Sequence, residues 1–212
     1  MNQRLCVILT GGSGAPTRPL PRPDVVIAAD SGLHLAAELG LVVDLVVGDF
    51  DSARPDLVDA AVSAGAELEH HPADKEATDL DLALDAAARR GATRTIVVGG
   101  AGDDRIDHVL ANAGVIAAER HRSVAPEWWV GGARVWPVRG RSTFAGGAGY
   151  TVSILPMGGP VVVSTFGLRW PLARETLDFG SSRGVSNRMT STDATVEVHS
   201  GIAMVALLEE AP

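Results

Sequence analysis

Cysteine is almost absent: Cys6 is the only one, so no internal disulfide can form and a thiolate-rich metal site is excluded. No uninterrupted apolar run approaches the ~20 residues that cross a bilayer. The first ten residues hold only a short apolar stretch ending at Leu9, without the longer core and cleavage site of a secretory signal. These absences make the cytosol the expected location, with no membrane partner. Basic residues are also in deficit. The net charge is −8, from 18 Lys+Arg against 26 Asp+Glu, which argues against non-specific nucleic-acid binding. What is present is ample apolar material: 46% of 212 residues is too much for a disordered chain and enough for one large or two small cores.

The scarce residues are unevenly placed. Residues 1–124 carry 11 basic and 19 acidic side chains, whereas 125–212 carry seven of each. Of nine aromatics, Phe50 alone falls in the first stretch. Carboxylates in one part and rings in the other predict two domains with different duties, 1–124 and 125–212.

The first part alternates short apolar runs (Leu5–Thr10, Val25–Ala29, Leu45–Val47, Glu67–His70, Thr95–Val98 and one about Val124) with helical patterns over 32–39, 55–64, 79–90 and 106–120. Leu80, Ala83, Leu84 and Ala87 keep a 3.6-residue period, and Gly40, Gly65 and Gly91 each stand where a helix should stop. Apolar strands alternating with helices predict an α/β domain, a parallel sheet covered on both faces. From Arg134 onward short β-rich runs are separated by Gly146-Gly147, Gly158-Gly159 and Gly201, predicting an all-β sandwich or barrel.

Acidic residues gather where the α/β strands should end. Asp30 closes Val25–Ala29, Asp49 and Asp51 follow Leu45–Val47, and Asp103, Asp104 and Asp107 follow Ile96–Val98 and its glycines. Asp79 opens the third helix. Ligands of open parallel sheets bind beyond the carboxyl ends of strands, so these distant residues can share one site. In an extended segment Asp49 and Asp51 point the same way, roughly 6–7 Å apart. A hard cation relieves their repulsion, and oxygen-only ligands favour Mg²⁺ over zinc. The same Gly48-Asp49-Phe50-Asp51-Ser52 stretch also reads as an ordinary turn.

Lys75, the only lysine beside 17 arginines, precedes a helix N-terminus suited to an anion, with Thr78 as its cap; a solvated loop lysine is the bland alternative. Arg105 can hold phosphate oxygens through its planar fork. Asp107 can orient Arg105, bind metal through water or favour the helix dipole. His108 can move protons or merely bond a loop. Gly11-Gly12-Ser13-Gly14 allows close backbone approach to a nucleotide but satisfies neither the dinucleotide nor the Walker pattern.

Taken in order, the residues resemble the thiamine pyrophosphokinase (thiamine diphosphokinase) family. The resemblance rests on Ala29-Asp30-Ser31-Gly32, Gly48-Asp49-Phe50-Asp51-Ser52, Lys75-Glu76-Ala77-Thr78-Asp79 with Asp81, and Arg105-Ile106-Asp107-His108 with Asn112. Gly167-Leu168-Arg169-Trp170-Pro171-Leu172 and Gly184-Val185-Ser186-Asn187 extend it into the β-rich part. Ser31 replaces a usual glycine, Asp81 a common glutamate, and Asp103-Asp104 often-seen glycines. Those two charges would repel a triphosphate unless a metal or Arg105 compensates.

The resemblance implies a Rossmann-like α/β domain followed by a β-sandwich, and a homodimer with active sites between subunits. It implies diphosphate transfer from ATP to thiamine, with AMP as the second product. Its Mg²⁺-binding acids map onto Asp30, Asp49, Asp51 and Asp79, its thiamine contacts onto Trp170, Ser186 and Asn187. The residue chemistry runs in the same direction. Asp49, Asp51, Asp79, Arg105 and Asp107 are the catalytic candidates, while Lys75, Thr78, Arg105 and His108 are candidates for holding ATP. Trp170 offers a face to a cationic ring, unless it is a core residue of the β domain. A pterin-alcohol diphosphokinase on the same scaffold, or a non-catalytic nucleotide-binding protein, would share parts of this pattern.

Overall fold

A computed structural model describes residues 3–12, 14–51, 53–101 and 105–209, in two compact units divided between Gly131 and Gly132. Asp103 and Asp104, with Ser13 and Ser52, lie outside the described residues.

The first unit holds strands β1 (Leu5–Leu9), β2 (Val25–Ala29), β3 (Leu45–Gly48), β4 (Glu67–His70), β5 (Arg94–Val98) and β6 (Pro126–Val130). All their pairings are parallel, in the order β6-β5-β1-β2-β3-β4. Between the strands run α1 (Gly32–Glu38), α2 (Pro55–Ser63), α3 (Asp79–Arg89) and α4 (Ile106–Ala117). Strands β1, β2 and β3 are buried along their whole length, as continuous apolar runs must be when both faces of a sheet are covered. In α3 the expected stripe is the buried one: Leu80, Ala83, Leu84 and Ala87, with Ala86 beside them. Gly40, Gly65 and Gly91 end helices at φ of +64°, +103° and +75°, a left-handed turn that glycine enters without Cβ strain.

The end of this unit departs from the sequence reading. The helix expected to reach Arg120 stops at Ala117, and Glu119–Val124 forms a 3-10 turn. The last strand, expected about Val124, lies at Pro126–Val130 as β6, among residues assigned to the β domain, and pairs in parallel with β5. Its Trp128 and Trp129 are both 6% exposed, and the Trp128 Nε1 donates to Gly99 O at 2.7 Å. Two rings that fill the α/β core therefore carry the first unit beyond residue 124, and the contrast in aromatics between the units is smaller than the sequence implies.

The second unit is built from two antiparallel sheets. One orders β12 (Asn187–Arg188), β9 (Thr151–Pro156), β14 (Ala203–Leu208) and β7 (Ala133–Val138). The other orders β11 (Glu175–Leu177), β10 (Val161–Phe166), β13 (Asp193–Ser200) and β8 (Arg141–Ala145). Val152, Ile154, Val205 and Leu207 from the first sheet share a core with Val161, Val163, Val196 and Val198 from the second. This is a sandwich. The short β11 and β12 have too few residues to show a period.

Candidate active site

The chain leaves β1 toward β2, β3 and β4 on one side and returns to β5 and β6 on the other. Loops after β1 and β5 therefore diverge, and a crevice opens at the carboxyl ends of the strands. Here Gly100 N donates to Gly11 O at 2.9 Å and Thr10 N to Val98 O at 2.9 Å. Gly100 has φ +74°, and a Cβ on it would meet Asn112 Nδ2 at 2.8 Å and Thr10 Oγ1 at 2.9 Å. Any other residue would be strained at this φ and would displace both side chains. The crevice widens into a cleft of about 430 Å³ whose walls include Asp30, Lys75, Thr78, Asp79, Arg105 and His108.

Asp30 leaves β2 in the left-handed region at φ +46°, as does Phe50 at φ +63° between the next two acids. Both are costly for a residue with a Cβ and persist when the surroundings impose them. Asp30 is held by its backbone N, which donates to Val47 O at 2.8 Å. Gly48, at φ +149°, has Asp30 Cβ 3.1 Å and Asp79 Oδ1 3.3 Å from where its own Cβ would be. Asp30 and Asp79 thus converge over a position where a Cβ would be crowded as well as strained. Carboxylate oxygens of Asp30, Asp49 and Asp51 lie within 4.8 Å of one another. Such a set of oxygens, with no nitrogen or sulfur, fits a hard divalent cation such as Mg²⁺.

Charge follows this crowding. Lys75 Nζ reaches Asp49 Oδ2 at 2.9 Å and Asp79 Oδ1 at 3.1 Å. The hydrogen bond from Lys75 holds the Asp49 carboxyl below its ordinary value, while the negative charge of Asp49 pushes Asp51 up. Partial burial works against the Lys75 ammonium, but its bonds to Asp49 and Asp79 outweigh burial and raise its pKa. The single lysine is therefore no loose surface cation. Thr78 caps α3, its Oγ1 accepting from Asp81 N at 3.3 Å.

At the opposite wall, Arg105 Nε and Nη2 donate to the two oxygens of Asp107 at 3.0 and 2.8 Å. The pair is exposed, and the Arg105 bonds hold Asp107 down at about 2. Of the roles open to Asp107 from sequence, this geometry gives the orienting of Arg105; Asp107 does not line the cleft, whereas Arg105 and His108 do.

Trp170, Ser186 and Asn187 come together in the second unit. Trp170 is 46% exposed, so it is not a core residue. Asn187 is buried, and its amide is engaged on both ends. Its Nδ2 donates to Trp170 O at 2.6 Å, and its Oδ1 accepts from Trp170 N at 3.1 Å and Arg188 N at 2.8 Å. Asn187 is thus the residue that fixes the Trp170 loop. Arg169 lies over the indole at 5.1 Å. Ser186 is exposed at φ +59°, with its N donating to Ser153 Oγ at 3.1 Å.

Sequence reasoning missed Thr10 and the partner of Asp81. Thr10 closes an apolar strand and reads as its last residue, so nothing marks it as a wall of the cleft. Asp81 turns away from the cleft to Arg120 and His121, a contact between residues 39 and 40 positions apart.

The fold and site define a class: a two-domain protein with an acidic cleft at the switch point of a parallel sheet and a β-sandwich bearing an exposed tryptophan. Residues 19–125 match the family model described as "Thiamin pyrophosphokinase, catalytic domain", and residues 142–203 match "Thiamin pyrophosphokinase, vitamin B1 binding domain". The chain belongs to the thiamin pyrophosphokinase family, and with it to the kinase-type diphosphotransferases. Solved structures share the fold. Thiamine pyrophosphokinase from Bacillus subtilis is 20% identical at a TM-score of 0.86, over 98% of this chain and 100% of that one. The protein from Geobacillus thermodenitrificans is 24% identical at 0.81, over 98% of each chain. The Candida albicans enzyme is 14% identical at 0.78, over 98% and 90%. A comparison with curated proteins gives no match.

Proposed function

We propose that the protein transfers the terminal diphosphoryl group of ATP to the hydroxyethyl oxygen of thiamine. The thiamine oxygen forms a bond to the β-phosphorus as the bond from that phosphorus to the α-phosphate bridging oxygen breaks. Thiamine diphosphate and AMP result, and the hydroxyl proton is released to water or a nearby carboxylate. The observation that carries this reading is the convergence of Asp30, Asp49 and Asp51 oxygens within 4.8 Å, in the domain that matches the family's catalytic model. No helix among the described residues is long and apolar enough to cross a membrane, and we assign the reaction to the cytoplasm.

Asp30, Asp49, Asp51 and Asp79 would hold Mg²⁺. Bound there, the ion supplies neutralisation of polyphosphate charge and alignment of the attacking and leaving oxygens. The chain's own groups do the rest. Lys75 and the Thr78 end of α3 bind phosphate oxygens, and Arg105, aimed by Asp107, stabilises charge on the departing α-phosphate. His108 contributes a hydrogen bond at the cleft rim. In the second domain Trp170 takes the cationic thiamine ring on its exposed indole. Asn187 acts through Trp170 by fixing its backbone, and Ser186 offers a hydroxyl beside it. In this reading the enzyme is a homodimer in which the tryptophan loop of one subunit serves the acidic cleft of the other.

Purified protein mixed with ATP, Mg²⁺ and either thiamine or a hydroxymethylpterin tests the proposal through AMP release. Release with thiamine alone is the expected result. Release with the pterin alone, or with neither, overturns it.

A further inference from the structure

Among the described residues the most deeply buried histidine is His121, 1% exposed, and the reaction does not use it. It sits in the 3-10 turn behind α3, with Nε2 2.7 Å from Asp81 Oδ1 and Nδ1 3.6 Å from Asp85 Oδ1. Arg120 grips the same carboxylate, Nε to Oδ1 at 3.1 Å and Nη2 to Oδ2 at 2.6 Å. Both oxygens of Asp81 are therefore committed, and none of its three contacts belongs to the cleft.

Asp81 stands two residues after Asp79 and three after Thr78, in the first turn of α3. At ~100° per residue, positions two apart on a helix point in nearly opposite directions. Asp79 faces the acids and Lys75 while Asp81 faces the 3-10 turn. The first turn is thus tied at the back by residues 39 and 40 positions further along the chain. A helix end needs such a tie, because its first N–H groups have no helical partners and it frays first. The tie matters here because Asp79 Oδ1 lies 3.1 Å from Lys75 Nζ and 3.3 Å from the Cβ position of Gly48. A shift of an ångström away from Lys75 would break the ion pair.

We propose that His121, with Arg120, is a positioning residue. It clamps Asp81 and thereby sets Thr78 and Asp79 in the geometry that the metal and polyphosphate require. The proposal rests on the diphosphotransferase reading, and its test separates the two. Mn²⁺ binding to the nucleotide-loaded protein, followed by electron paramagnetic resonance, and hydrogen exchange of amides 79–82 are measured beside turnover. The variants are His121→Phe, His121→Gln and the surface change Arg120→Gln. Loss of a residue that orients a metal ligand commonly costs about 10–100-fold in affinity or activity. The expected result for His121→Phe is a loss of that size in Mn²⁺ affinity and in kcat, an unchanged thiamine KM, and faster exchange at 79–82. His121→Gln, whose amide N–H can still reach Asp81, recovers most of the loss. Val196→Ala in the sandwich core lowers the melting temperature without moving Mn²⁺ affinity. A folded His121→Phe with wild-type Mn²⁺ affinity and kcat overturns the clamp. Should that variant fail to fold, Arg120→Gln decides: unchanged Mn²⁺ affinity and unchanged exchange at 79–82 also overturn it. If the wild type does not turn over thiamine, the reaction assignment fails, while Mn²⁺ binding and exchange still judge the clamp.

Discussion

Asp49 and Asp51 respond to each other and to Lys75, and that coupling shows why single side chains dominate this site. Lys75 stabilises charge on Asp49, while Asp51 carries the cost of its neighbour's charge. A divalent cation relieves that cost, so both acids should act as direct ligands. A residue that only supports a ligand is worth about 10–100-fold. Asp49→Asn and Asp51→Asn are therefore expected to lower AMP release by more than about 100-fold, with circular dichroism unchanged; turnover retained in both would remove the metal from these positions. In the proposed reaction Trp170 serves the other substrate. Cation–π and stacking contacts are worth about 0.5–2 kcal/mol, so Trp170→Ala should raise the thiamine KM by roughly two- to thirtyfold and leave the ATP KM in place. The pairing of Asp49 with Asp51 was legible from the sequence, because i, i+2 acids after an apolar run are a local pattern, whereas Trp170 was singled out only by the family resemblance. The bond of Lys75 to Asp49 was not legible, since 26 positions separate them.

Strand β1 and helix α1 show what the elements contribute. Cys6 is the second residue of β1, fully buried, and burial pushes its thiol up to about 12. An unfolded thiol ionises near its ordinary value of 9. The folded state therefore keeps its full stability below pH 9 and loses it as pH rises from 9 toward 12, by at most about 1.4 kcal/mol per pH unit. Urea unfolding at a series of pH values should show a steeper alkaline decline for the wild type than for Cys6→Ala; equal slopes would refute a buried neutral thiol. Helix α1 begins at Gly32, where a Cβ would stand 2.0 Å from Leu9 O. That backbone cannot yield as a side chain can. Gly32→Ala should lower stability by about 3 kcal/mol or more, read as a fall in the urea midpoint. Ser31 and Gly32 were visible as part of a motif, but the contact that demands the glycine spans two strands and has no local signature.

At the scale of the molecule, each unit has its own core, and the acidic cleft and the tryptophan loop are carried by different units. Shared sites in a homodimer predict a sedimentation coefficient of a dimer at micromolar concentration, and a fully active monomer would end that arrangement. Period, turn residues and charge distribution were sufficient for the α/β unit, an all-β second unit and the acids at strand ends, because each is written within a few neighbouring residues. Burial and partnership decided the remainder. The two tryptophans of β6 extend the first unit to Gly131, since rings of that size fill the core where a strand beside β5 places them. Asn187 spends its amide on the backbone of Trp170, and Asp81 turns from the cleft to His121. These pairings depend on distances between residues far apart in the chain, which no local pattern encodes and only the folded backbone sets.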